Sequence, residues 1–358
     1  MEETIKEEVH EFCKYLEEFN EAPKDMRFEF QIAVLNSLWK MISNHRYDYT
    51  DPRLMKVLKL MDIMFSEGSE PLMHLSYFYR PVAFLCQKLG IMQSWVCNVE
   101  MVKVCRETIL EHVQTYQEDN MRDFIDLTLR RMNIEESKSA GGIRSFKGIE
   151  GQVNLVNDLV DLLIAGSETT STTLNWAMLY MVMNPEVQEN VRKELDEITG
   201  RSRALTWEDR ERTPYTEAVI HEIQRMANIL DLSVVHRATQ DCRVGKYFIP
   251  KDTQIFFNIG RAMQDPKEFP EPKKFDPTRY LTKDGKFEPH PKIIPFGSGK
   301  RRCLGETLAR ASLYLFFGGI ISNFDVIKGH QSDVLTDEAN FGSTRSPLPF
   351  KVRFLHRK

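Results

Sequence analysis

Several features that define common classes of protein are missing from this sequence of 358 residues. No apolar run reaches the roughly 18–20 residues that a membrane-spanning helix needs, and the best candidate, Leu313 to Ile321, is predicted to be a buried helix. The first residues are charged and amphipathic, which predicts neither a signal peptide nor a membrane anchor. A formal net charge of −4 gives no indication of nucleic acid binding.

Paired cysteines are also missing. The six cysteines form neither a C-x-x-C pair nor a zinc-type spacing with histidine. This pattern predicts a reducing compartment, with one functional cysteine and five ordinary ones. No internal repeat is present, and a hydrophobic content of 42% with 28% charged residues indicates an ordered globular chain.

The chain does contain helical periodicity over most of its length. Between Leu230 and Phe257, β-branched and aromatic residues alternate with turns, which predicts two or three short strands, and further strands are predicted after Ser322. The aromatic stretch from Gly68 to Leu89 is predicted to be irregular. We therefore expect a mostly α fold with a small β portion. Helices are predicted over residues 3–19, 26–42, 53–65, 94–116, 123–132, 149–183, 185–200, 213–227 and 306–322.

One cysteine stands in an unusual setting. The segment 296–305 reads Phe-Gly-Ser-Gly-Lys-Arg-Arg-Cys-Leu-Gly and leads directly into a predicted helix. A thiol at a helix N-terminus lies where the helix dipole and free backbone N–H groups favour the thiolate. Gly297 and Gly299 allow a tight turn that aims N–H groups at the sulfur of Cys303.

The neighbours of Cys303 have complementary properties. Gly305, which has no Cβ, lets the helix lie close to a flat group, and Arg301 suits a carboxylate partner. Phe296 can shield the sulfur from water. Together these residues predict that Cys303 is the proximal thiolate ligand of a haem iron, and therefore the metal ligand of this chain. A lone cysteine is more often buried and inert, but that alternative does not account for five co-spaced residues.

The pattern Phe-x-x-Gly-x-Arg-x-Cys-x-Gly resembles the haem-binding segment of the cytochrome P450 family, most closely its microsomal, xenobiotic-metabolising animal branch. The resemblance extends over nearly the whole chain and implies one domain, residues 1–358, with the cytochrome P450 fold. It implies a haem-thiolate monooxygenase that uses haem b, dioxygen and an apolar small-molecule substrate. Electrons would come from NADPH through a flavoprotein reductase, on the cytosolic face of the endoplasmic reticulum membrane.

The longest predicted helix contains Ala165-Gly166-Ser-Glu168-Thr169. Ala165 and Gly166 give it a small-residue face on which a porphyrin can lie. Thr169 can hydrogen-bond to the carbonyl of Ala165, four residues earlier, and so open the helix locally. A turn rich in Ser and Thr is by itself usually structural. Glu168 and Thr169 nevertheless resemble the family's acid–alcohol pair, which delivers protons during dioxygen cleavage.

Glu222 and Arg225 stand three residues apart on another predicted helix, where their side chains can pair. Most such pairs are solvated surface contacts. This one resembles the Glu-x-x-Arg motif of the family, and Arg279 matches the third member of that motif. The resemblance implies a structural network that holds the irregular segment before the Cys303 loop.

Further residues take roles only through the resemblance. His236 and Arg301 would each hold a haem propionate, although a lone histidine after a strand is usually a packing residue. Lys300 and Arg310 would belong to a basic face that docks the reductase, with ordinary surface charge as the alternative. The implied substrate contacts are Ile229, Leu230, Leu232, Val234, Val235 and Phe341. By the resemblance, the aromatic stretch with Tyr77, Phe78, Tyr79 and Phe84 would join two helices over the substrate pocket and touch the membrane surface. A partly buried aromatic loop is the equally weighted alternative.

The chain also departs from the family pattern. The N-terminal part, with its anchor and first strands, is expected to be missing, and no tryptophan has the arginine four residues on that would hold a propionate. A truncated, catalytically inactive product is therefore one alternative to the enzyme. A haem-thiolate enzyme that rearranges peroxides is another, against which the Glu168–Thr169 pair argues because such an enzyme needs no proton delivery to dioxygen.

Overall fold

The computed structural model describes residues 1–66, 81, 84, 85, 93–138 and 142–357, and helices dominate this part of the chain. The longest, α6, occupies the centre of the sequence. The α-helices are α1 (Glu2–Glu17), α2 (Arg27–Ser43), α3 (Pro52–Ser66), α4 (Gln93–Thr115), α5 (Phe124–Glu136), α6 (Gly148–Met183), α7 (Pro185–Thr199), α8 (Pro214–Ala227), α9 (Ile259–Met263) and α10 (Glu306–Asn323). Short 3-10 helices cover Arg144–Phe146, Trp207–Arg212, Pro277–Tyr280 and Gly299–Arg301.

The β structure consists of short antiparallel pairs. The strands are β1 (His236–Arg237), β2 (Cys242–Val244), β3 (Tyr247–Ile249), β4 (Gln254–Ile255), β5 (Phe324–Lys328), β6 (Ala339–Phe341), β7 (Arg345–Pro347) and β8 (Val352–His356). Strand β1 pairs with β4, β2 with β3, β5 with β8 and β6 with β7. Each pair is only two to five residues long, and the helices supply most of the core, to which β5 and β8 add Phe324, Val326, Val352 and Phe354.

Helix α6 lies at the centre of the core. Its second half, residues 167–182, is buried except for a partly exposed Thr169, which is the pattern of a helix surrounded by protein. Helices α2, α8 and α10 pack against it, and α1 packs against α2 and α10. The helix ends at Met183 because Pro185 follows and takes the first position of α7, where it needs no backbone N–H partner.

The mostly α fold with a small β portion is confirmed, and the predicted helix boundaries agree with the structure to within a few residues. The five-residue α9 was not predicted, because it is too short to show periodicity. Most of the stretch 68–89, including Tyr77, Phe78 and Tyr79, lies outside the described residues. Its described positions, Pro81, Phe84 and Leu85, are helical and exposed, so the prediction of irregular structure is wrong there. Among the helices of the described residues, none combines the length and the apolar character needed to cross a membrane.

Candidate functional site

The loop before α10 presents a cysteine to solvent. Gly297 and Gly299 have φ values of 73° and 75°, a left-handed conformation that glycine adopts without steric cost. The loop closes when the N–H of Cys303 donates to the carbonyl of Phe296 over 2.9 Å. Within the described residues no N–H donates to the sulfur itself, so the turn fixes the backbone of Cys303 and leaves its thiol free.

The thiol stands open to solvent beside one large apolar side chain. The side chain of Leu304 is 90% exposed, and Cys303 is exposed beside it. A Cβ added to Gly305 would meet the Cys303 sulfur at 3.9 Å, so any side chain there would stand next to the sulfur. An exposed thiol with an exposed leucine and a glycine beside it can accept a flat apolar group from one side.

Four basic residues near the thiol divide into two kinds. Arg302 and Arg310 both pair with the carboxylate of Glu306, Arg310 over 2.9 Å, and the hydrogen bond from Arg302 is the main reason why the pKa of Glu306 lies below its usual range. The Arg310 guanidinium also lies 5.0 Å from the ring centroid of Phe296. Arg301 and Lys300 are exposed and have no acidic partner among the described residues.

The middle of α6 carries the predicted bond from a side chain to the backbone, within a helix that is continuous from Gly148 to Met183. The hydroxyl of Thr169 donates to the carbonyl of Ala165 over 2.8 Å, and Ala165 is exposed. Gly166 faces a different direction, because a Cβ there would meet Cδ2 of Leu38 on α2 at 2.3 Å. Ala165 and Gly166 therefore do not share one open face as the sequence predicts. Ala165 lies on the open side, and Gly166 allows α2 and α6 to pack closely.

Glu168, the neighbour of Thr169, is completely buried. Its Oε2 accepts a hydrogen bond from the side-chain amide of Gln31, and its Oε1 accepts from the hydroxyls of Thr172 and Thr344. Burial raises the pKa of the Glu168 carboxyl, and these hydrogen bonds together with Arg27 oppose the rise only in part. Burial thus shifts this carboxyl towards its neutral form relative to an exposed glutamate.

The turn between β6 and β7 joins three parts of the molecule. Thr344 in this turn donates to Glu168, and the N–H of Ser343 donates to the carbonyl of Phe65 at the end of α3 over 2.7 Å. The N–H of Arg345 donates to the carbonyl of Ile229 over 2.8 Å. One short hairpin is therefore attached at once to the buried acid, to α3 and to the segment after α8.

Helix α8 contributes a buried ion pair. Arg225 and Glu222 form a two-pronged pair with distances of 2.7 and 2.8 Å, and neither side chain is exposed to solvent. The remaining nitrogen of Arg225 donates to the carbonyls of Met263 and Pro272. The pair thereby fixes the chain that follows α9.

Arg279 and Tyr280 extend this pair. Nε of Arg279 lies 3.5 Å from Oε1 of Glu222, while its other nitrogens donate to backbone carbonyls between residues 270 and 274. The hydroxyl of Tyr280 and the N–H of Asp276 also donate to Glu222. Sequence reasoning missed Tyr280, although it stands directly after Arg279. It also missed Gln31, Thr172 and Thr344, the partners of Glu168.

The remaining candidates lie along the segment after α8. The imidazole of His236 in β1 is half-buried and packs edge-on against Phe257, with ring centroids 5.2 Å apart. Ile229 and Leu230 are half-buried, and the side chain of Phe341 lies outside what the structure describes. Strongly exposed apolar side chains, Leu232 at 51%, Val234 at 73% and Val235 at 46%, precede His236.

Comparison with known proteins places this geometry in context. The family model described as Cytochrome P450 matches residues 1–354. The chain is 34% identical to Cytochrome P450 2H1 of Gallus gallus and to Cytochrome P450 2B19 of Mus musculus, in each case over 100% of this chain and 71% of the relative. It is 35% identical to Cytochrome P450 2J2 of Homo sapiens, over 98% of this chain and 68% of the relative. The chain thus spans about 70% of the length of these relatives.

Proposed function

Because the chain belongs to the cytochrome P450 family, a family of haem-thiolate monooxygenases, we propose that it inserts one atom of dioxygen into an apolar organic substrate. The electrons come from NADPH through a flavoprotein reductase. The observation that carries the proposal is the exposed thiol of Cys303, held by a two-glycine turn at the start of α10 and flanked by the exposed Leu304.

The residues present fit a haem b group. The thiolate of Cys303 would ligate the haem iron, and Gly299, Gly305 and Phe296 would shape the loop around the sulfur. Arg301, which has no acidic partner among the described residues, would hold a propionate, and His236 would hold the other. Ala165 on α6, together with the backbone at Gly166, would contribute further contacts to the group. When bound, the haem supplies the redox chemistry of dioxygen activation, to which a thiolate ligand adds electron density.

The protein's own task in this reaction includes proton supply. Glu168 is a buried carboxyl whose pKa is raised by burial, and Oγ1 of the adjacent Thr169, which donates to the carbonyl of Ala165, stands at the half-exposed surface of α6. A hydroxyl can accept one proton while it donates another, so Thr169 can pass a proton outward from the helix. We propose that Glu168 and Thr169 together deliver the protons that dioxygen cleavage requires.

The substrate-facing residues in this proposal are apolar. Leu232, Val234 and Val235 expose large side chains after α8, and Ile229 and Leu230 lie beside them. Phe341 at the end of β6 completes the set. Such a surface favours an apolar substrate, because burial of apolar area yields about 25 cal/mol per Å².

Two partners belong to the proposal. Lys300 is exposed and has no acidic partner among the described residues, so its charge is available to an acidic reductase surface. Arg310 would contribute less directly, since its guanidinium already pairs with Glu306. As in microsomal relatives, we propose an association with the cytosolic face of the endoplasmic reticulum membrane.

One reconstitution tests the proposed function. The purified protein is loaded with haem and reduced under carbon monoxide, and its absorption spectrum is recorded. Product formation from apolar substrates is then compared with NADPH and reductase, and with an organic peroxide alone. A thiolate-type spectrum with NADPH-dependent oxygenated product supports the proposal. Rearrangement of the peroxide without any donor, or failure to bind haem, would contradict it.

A further inference from the structure

Helix α2 places an amide against the buried acid of α6. Gln31 is 1% exposed, and its Nε2 lies 2.5 Å from Oε2 of Glu168. The two residues are 137 positions apart in the chain, and the contact exists because α2 packs along α6.

The two carboxyl oxygens of Glu168 have different partners. Oε1 accepts from the hydroxyls of Thr172 and Thr344, at 3.1 and 3.2 Å. Across the described residues, Oε2 has Gln31 as its single hydrogen-bond partner. The hydrogen bond between Gln31 and Oε2 therefore depends on whether Oε2 carries a proton.

The other end of the Gln31 amide has no such partner. Its Oε1 is buried and, within the described part of the chain, accepts no hydrogen bond. An unsatisfied buried acceptor is costly and uncommon in native proteins, and it calls for a reason. A side-chain amide offers a donor on one side and an acceptor on the other in nearly the same shape, so a half-turn about its last bond exchanges the two.

We propose that Gln31 is a positioning residue for Glu168 whose amide serves both protonation states of the buried carboxyl. With Nε2 towards Oε2, the amide donates to the carboxylate. After a half-turn, Oε1 accepts the proton that Oε2 then carries. Glu168 can thereby take up one proton and release one proton without leaving its buried position. In the protonated state of Glu168, Oε1 of Gln31 is no longer unsatisfied, because it accepts the hydrogen bond from the acid.

The charges around this pair come from α2 and α3. Arg27 stands one helical turn before Gln31, and its guanidinium pairs with Asp62 of α3. Arg27 favours the ionised form of Glu168 and Asp62 opposes it, while burial has the largest effect and raises the pKa of Glu168. Attraction by Arg27 and burial thus act on the Glu168 carboxyl in opposite directions, and an amide that can either donate or accept offers a partner to both of its forms.

This inference rests on the proposed role of Glu168 in proton supply, but it can be measured without turnover. Infrared spectra of the haem-loaded protein and of Glu168→Gln are subtracted across a pH series. The difference isolates the carbonyl stretch of the neutral Glu168 acid and gives the midpoint at which the acid ionises. We expect this midpoint to rise by about one pH unit or more in Gln31→Met, because the charge-assisted bond that the carboxylate loses at Oε2 is stronger than the neutral bond that the acid loses.

A matched control exists in Gln188, which is also buried and also uses its amide, to bridge Met181 and Val326. Gln188→Met removes an equally buried amide and should leave the midpoint unchanged. If Gln31→Met does not fold, Gln31→Asn, which keeps the amide but shortens its reach, should move the midpoint in the same direction. An unchanged midpoint in the Gln31 variant, or no Glu168 acid band at any pH, overturns the proposal.

Turnover measurements then distinguish the inference about Gln31 from the proposed role of Glu168 in proton supply. With reductase and NADPH, Gln31→Met should divert a larger share of electrons to hydrogen peroxide than Gln188→Met does. A shifted midpoint with unchanged peroxide yield supports Gln31 as the partner of Glu168, and it contradicts the role of Glu168 in proton supply. An unshifted midpoint overturns the inference about Gln31 alone.

Discussion

The hydroxyl of Tyr280 donates to Oε2 of Glu222 over 2.5 Å, and the same oxygen accepts from Nε of Arg225 over 2.7 Å. The other oxygen accepts from Arg225 and from the N–H of Asp276. Every acceptor position of this buried carboxylate is thus directed at a donor, and burial raises the pKa of the Tyr280 hydroxyl so that it remains a donor. The arrangement makes the segment 272–280 depend on one side chain of α8.

Loss of that side chain should unfold the segment. Glu222→Ala leaves Arg225 as an unpaired buried charge, and we expect a loss of about 3–5 kcal/mol in the free energy of unfolding, with poor haem retention. Chemical denaturation and the haem-to-protein ratio measure both effects. Glu3→Ala is the matched control, since Glu3 pairs with Lys6 at the same three-residue spacing but on the surface, and it should cost less than about 1 kcal/mol. A soluble Glu222→Ala variant with full haem content contradicts the prediction.

Replacement of Cys303 tests the axial ligand. Cys303→Ala should abolish the thiolate signature in the absorption spectrum of the reduced carbon monoxide complex, because no other sulfur takes its place in the loop. Cys242→Ala, which removes a half-buried cysteine of β2, should keep the signature. Persistence of the thiolate spectrum in Cys303→Ala rules out this ligand assignment.

The proposed role of Thr169 in proton transfer can be tested separately from its hydrogen bond to the backbone of α6. Thr169→Ala should keep haem and NADPH consumption but lower the rate of coupled product formation by about a hundredfold or more, the scale of one positioned proton-transfer group. Thr173→Ala removes the same kind of back-bond one turn later, to the carbonyl of Thr169, and should remain coupled. Equal ratios of product to peroxide in the two variants count against proton transfer by Thr169.

Glu217 on α8 predicts a pH dependence of stability. Burial is the main reason why the pKa of this carboxyl rises from 4.5 to about 7. Below pH 4.5 the group is neutral in the folded and unfolded states and contributes little. As the pH rises towards 7 the unfolded chain ionises first, so the fold loses stability, by roughly 3 kcal/mol at most.

The Glu217→Gln variant should therefore be more stable than the parent at pH 8 and equally stable at pH 4. Thermal unfolding at both values measures the difference, with Glu211→Gln, an exposed neighbour, as the control. An equal difference between parent and Glu217→Gln at the two pH values would mean that the carboxyl does not change its charge between them.

Local patterns in the sequence predict more of this molecule than distant contacts do. The end of α6 follows from Pro185, and the pairing of Glu222 with Arg225 follows from their spacing on one helix. The bond from Thr169 to Ala165 follows from the same helical geometry. Each of these contacts spans no more than one helical turn.

The partners of Glu168 show why the rest could not be predicted. Gln31 and Thr344 stand 137 and 176 residues away, and only the packing of α2 and of the β6–β7 turn against α6 brings them to the carboxyl. A periodic pattern in a single sequence does not predict a contact between residues so far apart in the chain. The different directions in which Ala165 and Gly166 face could not be predicted for the same reason. The packing of Leu38 from α2 decides which of the two lies on the open side of α6.

The β6–β7 turn has a consequence for the engineering of substrate range. Variants of this hairpin selected to admit a larger or more polar compound would move Thr344 away from Glu168 and Arg345 away from Ile229. A library built there would therefore change selectivity and electron efficiency together. Screens that score only product identity would enrich variants that divert electrons to hydrogen peroxide. Libraries confined to Leu232, Val234 and Val235, the proposed substrate contacts, should change selectivity with less effect on the coupling of electrons to product.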